Sequence, residues 1–300
     1  MLTGNDLRKV AGRSGARDIG NVEVDVILTF LLQLFHERGI TQHAAFKGGT
    51  MLRKMIFGPR GRLSTDLDFT CYTEISQDDL MLMMLEALSK PYHGISFSFN
   101  RDKDWYITDD GIAANPVCVH ADNKNGVKIK LQVSMREKPI LRVSPLPQIK
   151  QDYFGLLPFE PVAIPSLALE EVVAEKIRAA NQRLKIRDIY DLSEIAGRAL
   201  NREKIRALAV LKLWDTIGPN LNYELFRSRI MDNEADYDIA DLTNLLRKDQ
   251  KPDLEVIRRK VTEGFSFIAD MTGLEKTLAD DNARRCREER NEIVAILGKT

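Results

Sequence analysis

Two aspartates at positions 66 and 68 are the best candidates for metal chemistry in this chain. The surrounding residues 63–70 largely alternate between apolar and polar types, which predicts a β-strand. Residues two apart on a strand project from the same face, so we expect the carboxylates of Asp66 and Asp68 to lie side by side. Two neighbouring carboxylates repel each other unless a cation lies between them. Mg²⁺ is usually bound by one or two carboxylates together with substrate phosphates. A solvated strand end without chemistry would give the same pattern.

A glycine turn upstream could bind those phosphates. Gly48 and Gly49 come just before a short helix that we expect to begin near Thr50. Backbone N–H groups at the start of a helix bind anions, Thr50 adds a hydroxyl group, and Lys47 adds a positive charge. Carboxylates for a metal and a site for phosphate are together the groups required to transfer a nucleotidyl group.

A second set of charged residues follows about a hundred positions later. Lys176 lies on a helix predicted over residues 167–183, and the residues three and four positions away from it are apolar or small. With no acid among them, the lysine either extends to solvent or binds an external anion such as a triphosphate. Asp188 could cap the next helix, with Asp191 as an acid of its first turn.

The segment 176–187 contains no acidic residue and is the best candidate for a local RNA phosphate-binding patch. Beside Lys176, its basic residues are Arg178, Arg183, Lys185 and Arg187.

The elements that position these residues divide the chain in two. Residues 1–160 mix helices and strands, and the clearest strand pattern covers residues 126–135. A proline-rich passage then leads into residues 161–300, which show helical patterns throughout, the last of them over 273–297. We therefore expect an α/β domain followed by an all-helical domain.

Composition limits the class of protein. The 300 residues include 44 basic and 44 acidic ones, so the net charge is zero and only a local patch could attract nucleic acid. Hydrophobic residues at 44% and charged residues at 29% are typical of a globular chain. No apolar run reaches the roughly 18 residues of a membrane span, and we expect no secretory signal because the N-terminal residues lack an apolar stretch. Three widely separated cysteines indicate reduced thiols, and hence a cytoplasmic protein without a membrane partner.

The order of these motifs resembles that of the AbiEii/AbiGii toxin family, which comprises nucleotidyltransferase-like proteins of the DNA polymerase β superfamily. The resemblance implies an α+β fold, in which a polymerase-β-like nucleotidyltransferase core with a mixed sheet and flanking helices precedes an all-helical C-terminal domain. It covers residues 46–192, where the matching motifs are FKGGTMLR from Phe46, RLSTDLDF from Arg62, AEKIRA from Ala174 and RDIYDL from Arg187.

The resemblance also implies an activity, its cofactors and its partners. Relatives are Mg²⁺- or Mn²⁺-dependent toxins that transfer nucleotides from an NTP co-substrate to RNA, in several cases to the 3′ end of tRNA. A separately encoded antitoxin is the implied protein partner, and phage defence the implied setting. Carried over by position, the metal ligands are Asp66 and Asp68, the other catalytic residues are Lys176, Asp188 and Asp191 in a cleft with the helical domain, and the phosphate-binding residues are Lys47, Gly48, Gly49, Thr50, Arg53 and Ser64.

Gln132 marks a departure from the superfamily, whose members commonly carry a third carboxylate on a later strand. A neutral amide cannot deprotonate a hydroxyl group. Either Asp188 or Asp191 then serves as the base, or the metal alone activates the hydroxyl. Two other functions remain compatible with the sequence: a small-molecule nucleotidyltransferase of the antibiotic-modifying kind, and a nucleotide-binding module with weak catalysis.

Overall fold

The computed structural model describes residues 1–232 and 237–298, and the chain forms two compact units. One unit is a mixed α/β structure and the other is helical, which confirms the predicted α+β class. Short segments of each unit come from within the sequence range of the other. The α/β unit comprises Met1–Pro139, Val143–Leu167 and Asn244–Gln250, and the helical unit comprises Ile140–Arg142, Ala168–Thr243 and Lys251–Thr300.

The α/β unit is built around a long apolar helix and a sheet. A short helix over Gly48–Met51 continues into a π-helix, Leu52–Phe57. The α-helices of this unit are α1 (Gly4–Ser14), α2 (Ile19–Glu37), α3 (Gly48–Met51), α4 (Gln77–Leu88) and α5 (Arg101–Asp104). Its strands are β1 (Ala44–Lys47), β2 (Asp66–Cys71), β3 (Ile95–Ser98), β4 (Trp105–Thr108), β5 (Gly111–Ala114), β6 (Val117–His120), β7 (Asn123–Lys128), β8 (Lys130–Ser134), β9 (Ser144–Leu146) and β10 (Ile164–Ser166).

Helix α2 forms the centre of the core. Asp18 caps its start by accepting a hydrogen bond from the N–H of Gly20 at 2.8 Å, and Gly39, with φ of 78°, lets the chain leave its other end. By length and hydropathy alone α2 could cross a membrane, but 78% of its apolar stretch is buried inside the protein. Packing in the core accounts for its hydropathy.

The main sheet places β2 near its middle. Its strand order is β4-β5-β8-β2-β1-β10-β9, with β2 parallel to β8 and antiparallel to β1. The buried face of β2 packs against the core through Leu67 and Phe69, which are at most 1% exposed. The aspartates that alternate with them therefore occupy the opposite face.

The strand predicted over residues 126–135 is wrong as a single element. It breaks at Ile129, whose N–H donates to the carbonyl of Pro116, and its halves β7 and β8 belong to different sheets. Strand β7 pairs with β6 in a separate three-stranded sheet, while β8 pairs with β2 and β5. Both halves keep the same two-residue alternation, so the pattern alone could not reveal the change of partner.

The helical unit contains eight α-helices and a 3₁₀-helix, Ser266–Ala269, within its described residues. The single helix predicted over 273–297 is wrong, because the side chain of Asp281 accepts hydrogen bonds from the N–H of Cys286 and the indole of Trp214 and so stabilises a turn. The α-helices of the helical unit are α6 (Leu169–Gln182), α7 (Ile186–Ile195), α8 (Arg202–Trp214), α9 (Tyr223–Met231), α10 (Ile239–Thr243), α11 (Leu254–Gly264), α12 (Gly273–Asp280) and α13 (Arg287–Gly298).

Candidate active site

The two aspartates of β2 lie on one face of the sheet, as their spacing predicts. Both are partly exposed, whereas Leu67 between them is fully buried. The hydroxyl of Thr65 donates to Oδ1 of Asp66 at 3.2 Å. A half-buried pair of carboxylates on a central strand is a rigid, partly desolvated position for a cation.

The glycine turn contacts this pair directly. Gly48 has φ of 79°, a left-handed conformation, and a Cβ atom there would lie 2.5 Å from Oδ2 of Asp68. At Gly49 a Cβ atom would lie 2.5 Å from Nη2 of Arg62. Position 48 thus favours glycine through both its backbone conformation and the nearby carboxylate, while at position 49 a guanidinium group approaches the backbone closely. The turn, Asp68 and Arg62 form one site.

Ser64 and Lys47 also lie beside this turn. Ser64 is 5% exposed, and its Oγ would be 3.4 Å from a Cβ atom at position 49. Lys47 ends β1 directly opposite Asp68 in the antiparallel pairing with β2. Among the described residues, no side chain caps the start of α3. The turn therefore combines backbone N–H groups with a neighbouring positive charge, which suits an anion.

Two of the predicted phosphate contacts have structural partners. The hydroxyl of Thr50, 1% exposed, donates to the backbone carbonyl of Asp66 and so ties the helix start to β2. Arg53 donates to the carbonyls of Gly58 and Gly61 and is only 5% exposed. Arg53 thus supports the loop after the π-helix, and this structural role replaces its predicted contact with phosphate.

A buried charge cluster anchors the π-helix, and the sequence interpretation missed it. Lys54 is fully buried and donates to Oδ1 of Asp25, Oγ1 of Thr29 and Oη of Tyr153 at 2.9–3.0 Å. Although burial raises the pKa of Asp25, the charges of Lys54 and Arg53 outweigh it and keep that pKa below its ordinary value. The available signal was Asp25 itself, an acid within the apolar stripe of α2.

Gln132 faces the carboxylate pair, as the strand pattern predicts, since it lies opposite Asp68 across β2 and β8. Within residues 1–232 and 237–298, no three His, Cys, Asp or Glu side chains form a cluster suited to a metal ion. The donor set at this site is therefore two carboxylates with an adjacent amide. That set fits Mg²⁺, which normally completes its octahedral shell with water and substrate phosphates.

Lys176 in the helical unit has two acidic partners. Its Nζ lies 2.8 Å from Oδ1 of Asp188 and 2.8 Å from Oδ2 of Asp191. The expectation that this ammonium lacks a local counter-charge is therefore wrong. Neighbouring positions in the sequence indicate only partners on α6, whereas both acids come from α7, which packs against it. The capping interpretation is also wrong, because Lys185 occupies the N-cap of α7.

The carboxylate of Asp188 is held in its charged form. It is 3% exposed, and its Oδ2 accepts a hydrogen bond from Nε of Arg183 at 2.8 Å. Burial raises the pKa of Asp188, but the positive charges of Lys176 and Arg183 more than compensate and lower it to about 2. The two carboxylates, of Asp188 and Asp191, and the two cations, of Lys176 and Arg183, thus form a cluster in which opposite charges are paired.

The basic segment is less open to RNA than its sequence suggests. Arg183 pairs with Asp188, and Nε of Arg187 lies 2.9 Å from Oδ2 of Asp241. Nε of Arg178 is buried without a hydrogen-bond partner among the described residues. Lys185 is exposed and has no ion pair in the described part of the chain. Acids from other elements thus neutralise part of the segment.

Comparisons with known proteins give matches in both sequence and structure. A sequence profile described as nucleotidyl transferase AbiEii toxin, type IV TA system, matches residues 29–276. MenT4, a nucleotidyltransferase toxin from Mycobacterium tuberculosis H37Rv, has a similar structure, with a TM-score of 0.81 and 25% identity over 99% of this chain and 100% of that one. JHP933 from Helicobacter pylori has a TM-score of 0.45 and 22% identity over 84% and 94% of the two chains. No protein of curated function matches as a relative.

Proposed function

We propose, from the premise that this chain belongs to the nucleotidyl transferase AbiEii toxin family of type IV toxin–antitoxin systems, that it transfers nucleotides from an NTP to the 3′ end of a tRNA. The chain is a nucleotidyltransferase toxin, and its family implies an antitoxin as partner. Our proposal adds four points to this family assignment: the RNA acceptor, the transfer to the tRNA 3′ end, the cytoplasmic location and the link to phage defence.

The contact between the glycine turn and the carboxylate pair carries this proposal. Because Gly48 lies against the carboxylate of Asp68, phosphates bound at the turn would come next to both aspartates. We propose Asp66 and Asp68 as ligands of a Mg²⁺ or Mn²⁺ ion. When bound, such an ion neutralises charge that develops on the phosphates and orients them.

The residues around the turn would hold the triphosphate. We assign phosphate binding to the backbone of Gly48 and Gly49, with Lys47 and Ser64 beside them. Thr50 keeps the turn attached to β2 through its hydrogen bond to Asp66. In this way the chain fixes the phosphate-binding turn and the carboxylates relative to each other before the substrate arrives, and such preorganisation supplies much of the rate enhancement in phosphoryl transfer.

Asp188 is assigned an electrostatic role and not that of a base. A carboxylate with a pKa near 2 binds a proton too weakly to be an efficient general base near neutral pH. Both of its oxygens also accept hydrogen bonds, from Lys176 and Arg183. We propose that Asp188 and Asp191 hold the ammonium group of Lys176 in a fixed position for transfer.

The test is an acceptor assay with matched variants. The purified protein is incubated with each α-labelled NTP and Mg²⁺, and with either total tRNA or a panel of aminoglycosides. We expect labelled tRNA from the wild type, and a loss of at least about 100-fold in Asp66→Asn and Asp68→Asn, since removing metal ligands costs several kcal/mol of barrier. Asp109→Asn, an exposed turn residue of the same unit, is the matched control.

The outcomes separate the candidate functions. Label in an aminoglycoside alone would contradict the RNA acceptor and support a small-molecule transferase. NTP binding without any transfer would support a binding module. Near-wild-type transfer by either aspartate variant would remove the metal assignment.

A further inference from the structure

We propose that Lys130 binds a backbone phosphate of the RNA acceptor, and that the acceptor reaches the carboxylate pair from the β8 side of the sheet. The inference rests on the proposed function, because it presumes an RNA acceptor. It follows from the register of the central strands and from the charges that this register leaves exposed.

The register places Lys130 on the face that carries the carboxylates. Across the parallel pair β2 and β8, Lys130 lies opposite Asp66 and Gln132 lies opposite Asp68. Side chains of directly paired residues project from the same face of a sheet. The alternation of burial agrees, because Leu131 between them is fully buried on the other face.

Lys130 is an exposed cation that its acidic neighbour does not neutralise. Its ammonium group forms neither a hydrogen bond nor an ion pair with any residue in the described ranges, although Asp66 lies directly across the strand pair. Opposite charges at directly paired positions usually interact favourably. Lys130 is exposed to solvent instead, so its ammonium group is available to an external anion.

The two sides of the carboxylate pair differ in what they offer a substrate. On the β1 side are the glycine turn and Lys47, which ends β1 opposite Asp68. On the β8 side are an amide, Gln132, and then the free ammonium group of Lys130. The first side suits a triphosphate. The second suits a chain with a sugar hydroxyl at its end and a phosphate further along.

The geometry of nucleotidyl transfer indicates which side of the carboxylate pair binds the NTP and which binds the acceptor. The acceptor 3′-oxygen forms a bond to the α-phosphorus, the bond from that phosphorus to pyrophosphate breaks, and the hydroxyl proton leaves to water. Attacking and leaving oxygens are roughly in line in such displacements. With pyrophosphate leaving towards the glycine turn, the hydroxyl must approach from the opposite side, where Gln132 can hydrogen-bond the terminal ribose and Lys130 can bind the adjoining phosphate.

The experiment compares Lys130→Ala and Lys130→Arg with Lys124→Ala. Lys124 is an exposed lysine in the three-stranded sheet of the same unit, without an ion pair among the described residues, so its variant controls for general loss of positive charge. Binding of end-labelled tRNA is measured by fluorescence anisotropy between 50 and 300 mM salt, roughly the range over which counterion release is resolved. The KM values for tRNA and for NTP are measured in the transfer assay.

We expect Lys130→Ala to weaken tRNA binding about three- to tenfold and to lower the salt slope by about 0.7–0.9, the value for one lost phosphate contact. The KM for NTP should stay unchanged, Lys130→Arg should restore binding, and Lys124→Ala should match the wild type. If Lys130→Ala matches Lys124→Ala, or raises only the KM for NTP, the assignment of Lys130 is wrong while the proposed function stands. If the wild type itself labels no tRNA, the proposed function fails, and this inference with it.

Discussion

Replacing Gly48 with alanine should separate the chemistry of the site from the stability of the fold. The residue has φ of 79°, where an alanine costs about 1–2 kcal/mol relative to glycine. Its Cβ atom would lie 2.5 Å from Oδ2 and 3.1 Å from Cγ of Asp68. Ordinary contacts begin near 3.5 Å, so the carboxylate must move by about 1 Å.

That displacement should affect transfer more than folding. A misplacement of about 1 Å in a reacting group costs about 100-fold in rate. We therefore expect Gly48→Ala to lose about 1–2 kcal/mol of stability in urea unfolding and about 100-fold in kcat/KM for NTP-dependent transfer. Urea unfolding reports the cost of the strained backbone, and kcat/KM reports the effect of the displaced carboxylate.

A glycine in a helix provides the control. Gly12 lies within α1, and a Cβ atom there would meet nothing within 4 Å. Gly12→Ala should raise stability by about 0.5–1 kcal/mol, because alanine is the better helix former, and should leave transfer unchanged. A folded Gly48→Ala protein with kcat/KM within threefold of the wild type would refute the close coupling of turn and carboxylate.

Two further predictions concern the charge cluster of the helical unit. Lys176→Met should lower the free energy of unfolding by about 3 kcal/mol, because it removes the ammonium group that both Asp188 and Asp191 face in a buried setting. Urea unfolding measures this loss, and a loss below about 1 kcal/mol would contradict the buried pairing. The depressed pKa of Asp188 makes its contribution present above its ordinary pKa of 3.8 and lost as the pH falls towards 2. The stability gap between the wild type and Asp188→Asn should therefore shrink by about 2 kcal/mol between pH 6 and pH 2, and a constant gap would contradict the shift.

Local patterns were sufficient to predict the carboxylate face and the glycine turn. The alternation of residues 63–70 defined the buried and solvent faces of β2, because strand periodicity is a property of the backbone itself. The position of Gly48 and Gly49 just before a short helix predicted a turn with free backbone N–H groups. Neither inference needed to know which strands are neighbours.

Partners from other elements could not be predicted in the same way. Lys176 has an apolar surrounding on α6, and only the packing of α7 against α6 brings Asp188 and Asp191 to it. Arg53 follows the glycine turn in sequence, yet the fold directs its guanidinium to the loop carbonyls of Gly58 and Gly61. Sequence periodicity reports which face a residue occupies, while its partner depends on tertiary packing.

The buried pair of Lys54 and Asp25 makes the same point within the core. Both side chains are at most 1% exposed, and they join α2 to the π-helix that continues from the glycine turn. A lysine at that position reads as a surface residue from sequence alone, because burying a charge is costly unless its partner is at hand. Only the three-dimensional pairing identifies it as part of the support of the site.

The most direct test of nucleotidyl transfer uses two positions of the same label. Parallel reactions contain tRNA, Mg²⁺ and an NTP labelled either at the α-phosphate or at the γ-phosphate, and the RNA product is digested to locate the label. The proposed function predicts α-label at the 3′ end of the tRNA and γ-label only in released pyrophosphate, with both signals lost in Asp68→Asn. Transfer of the γ-label to RNA would show a kinase reaction and would contradict the assignment.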